Sequence, residues 1–176
     1  MSPRNPLELW ADRFSETGGA IASSLFAMQA AWITIAVIFR YLFKNPIAFT
    51  EELTRFFLVW GAMLGMALAL QQGRHIRVTT IFHKFSPKAQ KYLDFFMDLL
   101  AVAVLAVFLL QGYKLAIFSK NLGEVSQGGL EYPIWWSQIA LPIGGGLFIL
   151  QYLAQAVGNL FGIMRGDYRL THMKGH

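Results

Sequence analysis

Residues Thr17–Phe39, TGGAIASSLFAMQAAWITIAVIF, contain no charged side chain. From Ala20 to Phe39 they read as a single apolar helix. At about 1.5 Å per residue that length covers roughly 30 Å, the hydrocarbon thickness of a bilayer. Three more uncharged runs follow. Phe56–Gln72 (FFLVWGAMLGMALALQQ) is short alone and reaches full length if its helix begins at Glu51 or Glu52. Leu99–Tyr113 gains length if the helix starts near Pro87, with Ser86 as N-cap and Pro87 at the first helical position. Tyr132–Met164 is the longest, and Pro142 with Gly144-Gly145-Gly146 is expected to kink or loosen it.

A helix buried in a soluble all-α protein keeps a polar face. Ala20–Phe39 offers only Ser23, Ser24, Gln29 and Thr34, and Leu99–Leu110 has no polar residue. A transmembrane β-barrel would alternate in polarity, whereas these runs are continuous. Composition agrees: 55% of the 176 residues are hydrophobic and 14% charged, against about 25% charged in soluble domains. The expected fold class is an all-α integral membrane protein with four transmembrane helices plus amphipathic interfacial helices. Residues 1–17 form an amphipathic N-terminal segment, 18–164 the four-span domain and 165–176 a cytoplasmic tail.

In residues 5–17 Asn5 is a candidate cap and Pro6 opens the first turn. Leu7, Trp10, Ala11 and Phe14 follow helical spacing. This segment is expected to lie at the membrane surface and to end at Gly18-Gly19. It is not expected to be a signal peptide, since it lacks a basic start and the apolar stretch runs too far. Residues 73–91 behave similarly, with Val78, Ile81, Phe82 and Phe85 on one face. Trp10, Trp135 and Trp136 suit interfacial anchors.

The formal charge is +5. It need not mean nucleic acid, and no nucleic-acid partner is expected; basic loops facing an anionic membrane explain it as well. With four spans both termini share a side. That side holds ten Lys and Arg (Arg4, Arg13, Arg74, Arg77, Lys84, Lys88, Lys91, Arg165, Arg169, Lys174) and the other holds five (Arg40, Lys44, Arg55, Lys114, Lys120). The positive-inside rule places both termini in the cytoplasm.

There is no cysteine, which removes disulfides, thiolate metal sites and cysteine nucleophiles. His75, His83, His172 and His176 all lie outside the spans and match no metal spacing, so neither metal nor haem is expected. Ser23, Ser24 and Ser137 have no His or Asp at membrane depth to activate them, which argues against an intramembrane hydrolase. Charges gather instead at the first hairpin: Arg40, Lys44, Glu51, Glu52 and Arg55. Either acid is spaced to pair with Arg55 on one helix face, and Arg40 is within reach of both. The set reads as a structural or subunit-docking cluster, because a proton relay would lie deeper. Asp94 and Asp98 are expected to be a solvated helix start, and Glu124 and Glu131 to be solvated in a polar loop. Gly61-x-x-x-Gly65 and Gly158-x-x-x-Gly162 are helix-packing candidates. The polar residues counted within the spans are Gln29, Thr34, Gln138, Gln151 and a few serines. That is poor material for a solute pathway, which needs polar groups at mid-membrane.

Several stretches carry a resemblance. Arg40-Tyr41-Leu42-Phe43 is followed by Glu51-Glu52-x-x-Arg55, Trp60, Gly65, Ala69 and Gly73-Arg74-His75-Ile76-Arg77-Val78. Their order and spacing resemble the small membrane subunit of tripartite ATP-independent periplasmic (TRAP) transporters. Tyr132-Pro133-Ile134-Trp135-Trp136 and Leu141-Pro142-Ile143-Gly144 look like that family's fourth-span signature, and the similarity covers residues 20–160. The resemblance implies a division of labour. A periplasmic binding protein captures a carboxylate-bearing solute, and a large membrane subunit carries substrate and sodium sites and moves like an elevator. The small subunit braces the large one in the inner membrane and helps present a docking surface to the binding protein. It implies no cofactor on this chain and sodium ions on the large subunit. Three rival readings remain: a self-sufficient small homodimeric transporter, a structural subunit of another membrane complex, and a membrane enzyme, which the absent catalytic constellation disfavours.

Overall fold

The computed structural model describes residues 6–72 and 86–164. The basic loop with its two histidines, the Gly73–Val78 motif and the C-terminal tail lie outside the described residues.

Helix α1 runs without interruption over Pro6–Leu42. The break expected at Gly18-Gly19 is not there, and the amphipathic stretch continues straight into the first span. A terminating glycine needs a left-handed backbone; among the described glycines only Gly123 has positive φ. Gly18 and Gly19 are packing residues instead. A Cβ on Gly18 would sit 3.1 Å from the Leu64 carbonyl oxygen, and one on Gly19 would run into the Leu68 side chain. In the absence of a hydrophobic drive between spans, such close approach is what holds helices together.

Helix α2 spans Thr50–Gln71, with the Thr50 hydroxyl donating to the Ile47 carbonyl at 2.9 Å. Helix α3 spans Pro87–Leu122. Its start is the expected one: the Ser86 hydroxyl accepts from Ala89 N–H at 3.4 Å, with Pro87 in the first turn. It stops at Gly123, whose φ of 64° carries the chain away. Residues 124–134 fold back as a small hairpin-like loop, with Val125 bridged to Pro133 and Ser126 N–H bonded to the Tyr132 carbonyl at 2.9 Å. A short helix α4, Trp135–Gln138, precedes α5, Ala140–Met164. The interruption expected around Pro142 falls at Ile139. Proline lacks an N–H for the Gln138 carbonyl and its ring crowds that oxygen. Helix α5 then continues through Gly144-Gly145-Gly146.

All four long helices are apolar enough to cross a membrane. α1 packs on α2 and α5, and α3 packs on α5. The buried seam of α1 runs Ala11, Ser15, Gly18, Ala22 and continues through half-buried Leu25, Gln29, Trp32 and Ala36. Alternating steps of four and three mark left-handed, coiled-coil-like packing. The seam is tight in the first half of α1 and loose in the second. At mid-height α2 is gripped from two sides. Gly18 meets the Leu64 carbonyl, and a Cβ on Gly144 of α5 would lie 2.5 Å from the Met63 carbonyl oxygen. A small core of Ala67, Leu70 and Phe148 sits beside this waist. With 37 residues in α1 and 36 in α3, each rod measures roughly 55 Å and overhangs a hydrocarbon layer of about 30 Å.

Candidate functional site

The bundle has two polar ends. The end holding the 43–49 and 123–134 loops is the loop end; the end where α1 and α3 start and α2 and α5 stop is the termini end.

At the loop end the charge cluster divides. Arg55 pairs with Glu51 at 3.3 Å, one turn apart on the exposed face of α2. Such an exposed pair contributes little. Glu52 points the other way and is buried. Its carboxylate accepts from Gly128 N–H at 2.6 Å, Leu130 N–H at 2.8 Å and the Ser126 hydroxyl. Three donors from one loop converge on a single acid, so Glu52 pins the 124–134 loop onto the start of α2. Arg40 joins neither acid among the described residues; its guanidinium lies 5.9 Å from the Tyr41 ring centroid. The expected four-residue cluster is therefore an exposed pair, a separate arginine and a loop pin. The donors on Glu52 were invisible to sequence reasoning, since two of the three are backbone N–H groups about 76 residues away.

Small residues make this docking fit. A Cβ on Gly128 would overlap the Glu52 carboxyl, and one on Gly129 would lie 3.3 Å from Ala48 Cβ. Aromatic groups close the base of the loop. Trp60 Nε1 donates to the Trp136 carbonyl at 3.1 Å, Lys120 Nζ lies 5.1 Å above the Trp135 ring, and Tyr132 Oη is 3.0 Å from Ser137 Oγ. Trp135 is half-buried; Trp136 and, at the other end, Trp10 are exposed. Gly61 and Gly65 face α1, where Phe26 lies over Gly61 and Ala22 Cβ would be 3.4 Å from a Cβ on Gly65. Gly158 and Gly162 are half-buried on α5.

The termini end corrects another expectation. Asp94 and Asp98 are not a solvated helix start; both are buried, as is Lys91. Asp98 Oδ2 accepts from Asn159 Nδ2 at 2.8 Å. One turn and more above, the Ser15 hydroxyl donates to Gln151 Oε1 at 3.0 Å, and Gln151 Nε2 donates to Asp12 at 3.2 Å. Gln71 Nε2 reaches Glu16 at 3.4 Å. Gln155 and Asn159, absent from the earlier polar count, are buried as well. A signal was present: Gln151, Gln155 and Asn159 recur every four residues, and Lys91, Asp94 and Asp98 follow the spacing of the α3 seam. These ties fasten α5 to α1 on one side and α3 on the other.

Replacing Asn159 by leucine removes a donor from a buried carboxylate and is expected to cost about 2 kcal/mol. The double variant with Asp98→Leu should recover part of that loss, since the buried carboxylate that lost this donor goes too. Melting of both proteins in detergent measures it; a double variant no better than the single one would deny the pairing.

None of this is a reaction centre. The Ser23 and Ser24 hydroxyls donate to the Gly19 and Ala20 carbonyls of their own helix. Among the described residues no three His, Asp or Glu gather in a metal-binding group. Fold and site together define a multi-pass membrane protein whose polar groups hold helices and loops in place. Residues 10–162 match the family described as tripartite ATP-independent periplasmic transporters, DctQ component, and the chain belongs to that family. It is 28% identical over 147 residues to a TRAP transporter small permease protein of Haemophilus influenzae, covering 83% of this chain and 89% of that one. It is 23% identical to the sialic acid TRAP transporter small permease protein SiaQ of Vibrio cholerae, over 83% of this chain and 82% of that protein. The sialic acid TRAP transporter permease protein SiaT of Haemophilus influenzae is 25% identical over 85% of this chain, which corresponds to only 22% of that longer protein. The chain is thus a small permease of the TRAP type, a transporter subunit and not an enzyme.

Proposed function

We propose that this chain is the fixed brace of a three-component uptake system in the bacterial inner membrane, with both termini in the cytoplasm. In this reading a large membrane subunit binds sodium and a carboxylate-bearing solute and moves the solute across. A periplasmic protein delivers the solute, and the present chain holds the large subunit at a set depth.

The observation that carries this reading is the closed waist. Gly18 and Gly144 bring α1 and α5 against the backbone of α2 at Leu64 and Met63, leaving no room for a solute to pass between these helices. Below the waist Ser15, Gln151 and Asp12 bond to one another across helices, as do Asn159 and Asp98, whereas a transport site presents polar groups to its solute. Outward, α3 shows Leu100, Val104, Val107 and Phe108, a surface suited to lipid and to another membrane protein. The relative in which a comparable segment forms part of one longer permease supports a large-subunit partner. The loop end, pinned by Glu52, then faces the periplasm, as the excess of Lys and Arg on the other side favours.

Purification from native membranes in mild detergent is expected to bring down the large subunit. In liposomes the chain alone should move no solute, and sodium-driven accumulation should need all three components. Accumulation by the isolated chain would overturn the proposal in favour of a self-sufficient transporter.

A further inference from the structure

Contacts at the waist align the helices in height. Ala22 of α1 lies beside Gly65 of α2, Met63 of α2 beside Gly144 of α5, and Leu109 of α3 beside Gly145 of α5. From this level the lipid-facing stretch of each helix can be measured, because exposed charge marks where a helix leaves hydrocarbon. On α1 the uncharged stretch begins at Thr17, roughly 8 Å towards the termini end, and ends at Phe39, roughly 26 Å towards the loop end. On α2 the uncharged run Phe56–Gln72 is centred on the waist. On α3 Lys91, Asp94 and Asp98 are buried, so the exposed face carries no charge between Lys88 and Lys114. That face reaches from Tyr92, roughly 26 Å towards the termini end, to Tyr113, roughly 6 Å towards the loop end. The apolar belt therefore rides high on α1 and low on α3. Helix α5 packs between those two flanks, and its run from Tyr132 to Met164 holds no charge, so it suits either height.

An upright bundle cannot satisfy both flanks. Centred on the waist, a layer of about 30 Å would leave Ile35, Val37, Ile38 and Phe39 of α1 in water, with Phe96 and Met97 of α3, although these side chains are exposed and apolar. It would also submerge Glu16 and Lys114, which are exposed and charged. Sliding the bundle along its axis relieves one flank and worsens the other. Rotation relieves both.

We propose that the bundle sits obliquely in the bilayer, with the loop-end half of α1 and the termini-end half of α3 both facing lipid. The centres of the two uncharged stretches differ in height by roughly 20 Å, and a bundle three helices across is roughly 30 Å wide, which corresponds to a tilt of about 35°. At that tilt the hydrocarbon layer asks for roughly 37 Å of each rod. Uncharged stretches of roughly 33 Å meet this once the bordering arginines and lysines extend their side chains outward. The 124–134 loop then stands clear of the membrane on the α3 flank, and the first turns of α1 stand clear on the opposite flank and side. This seating requires only that the chain spans a bilayer, whatever its partners.

The chain has no cysteine, so single introduced cysteines can carry a spin label. Met28 on α1 and Val104 and Tyr113 on α3 are exposed, and labels there disturb no helix contact. Each full-length variant is labelled and reconstituted in vesicles of phosphatidylethanolamine and phosphatidylglycerol, alone and with the large subunit. Depth is read from relaxation by oxygen against relaxation by a water-soluble nickel chelate. In an upright bundle Tyr113, nearer the waist, lies deeper than Met28. In the oblique one the order reverses, and the oxygen-to-nickel ratio at Met28 and at Val104 should exceed that at Tyr113 severalfold. A ratio at Tyr113 equal to or above that at Met28 would overturn the proposal. So would a label at Phe96 that meets nickel freely in the chain alone and is shielded from both reagents once the large subunit is added, because protein rather than lipid would then cover the low flank of α3.

Discussion

Valine at position 144 is expected to lower the melting temperature of the detergent-solubilised protein by about 10 °C. A Cβ placed on Gly144 would lie 2.5 Å from the Met63 carbonyl oxygen, 2.6 Å from Met63 Cβ and 2.7 Å from the Met63 carbonyl carbon. Two of these are backbone atoms and the third is fixed to the backbone. None can swing aside, so α2 and α5 must separate along their contact. Overpacking ordinarily costs about 1–3 kcal/mol, and a branched side chain against a helix backbone belongs at the upper end. The neighbouring Gly145 supplies the control. Its Cβ would meet Leu109 and Phe108 at an ordinary 3.8 Å, so Gly145→Ala should melt within about 2 °C of wild type. Equal melting of the two variants would mean that α5 does not present Gly144 to α2.

Alanine in place of Glu52 is expected to free the 124–134 loop without unfolding the spans. The substitution takes the acceptor away from Gly128 N–H, Leu130 N–H and the Ser126 hydroxyl together. These donors turn to water by lifting the loop off α2. Cleavage of residues 124–131 by added protease should rise on the order of tenfold, while the helical signal stays unchanged. Glutamine should fall between, since its amide offers one acceptor oxygen but turns an NH2 group towards donors. If the loop matters to assembly or delivery as proposed, Glu52→Ala also weakens complex yield or uptake. Cleavage equal to wild type would deny the pin.

The four spans were legible because the bilayer imposes one demand, long uncharged runs, that composition alone displays. The start of α3 was legible too, since Ser86 and Pro87 act on their own helix. Contacts between distant segments were harder. Gly18-Gly19 has the appearance of a helix end, yet the space available beside Leu64 and Leu68 makes it a crossing point. Asp94 and Asp98 have the appearance of a solvated first turn, yet both are buried, and Asp98 meets Asn159 of a distant helix. Glu52 has a ready partner in Arg55 by spacing, but Glu51 takes that arginine and Glu52 takes three loop donors instead. Local rules describe what a helix can do alone; which face it turns inward depends on a neighbour that spacing does not name.

The unbroken course of α1 has a practical consequence. With no joint between Leu9 and Leu42, a helical protein grafted in register onto the exposed start of α1 would share its axis and turn with it as one body. Such a handle would stand clear of detergent and report the tilt of the buried portion, giving image alignment a fiducial on a target otherwise hidden in its micelle.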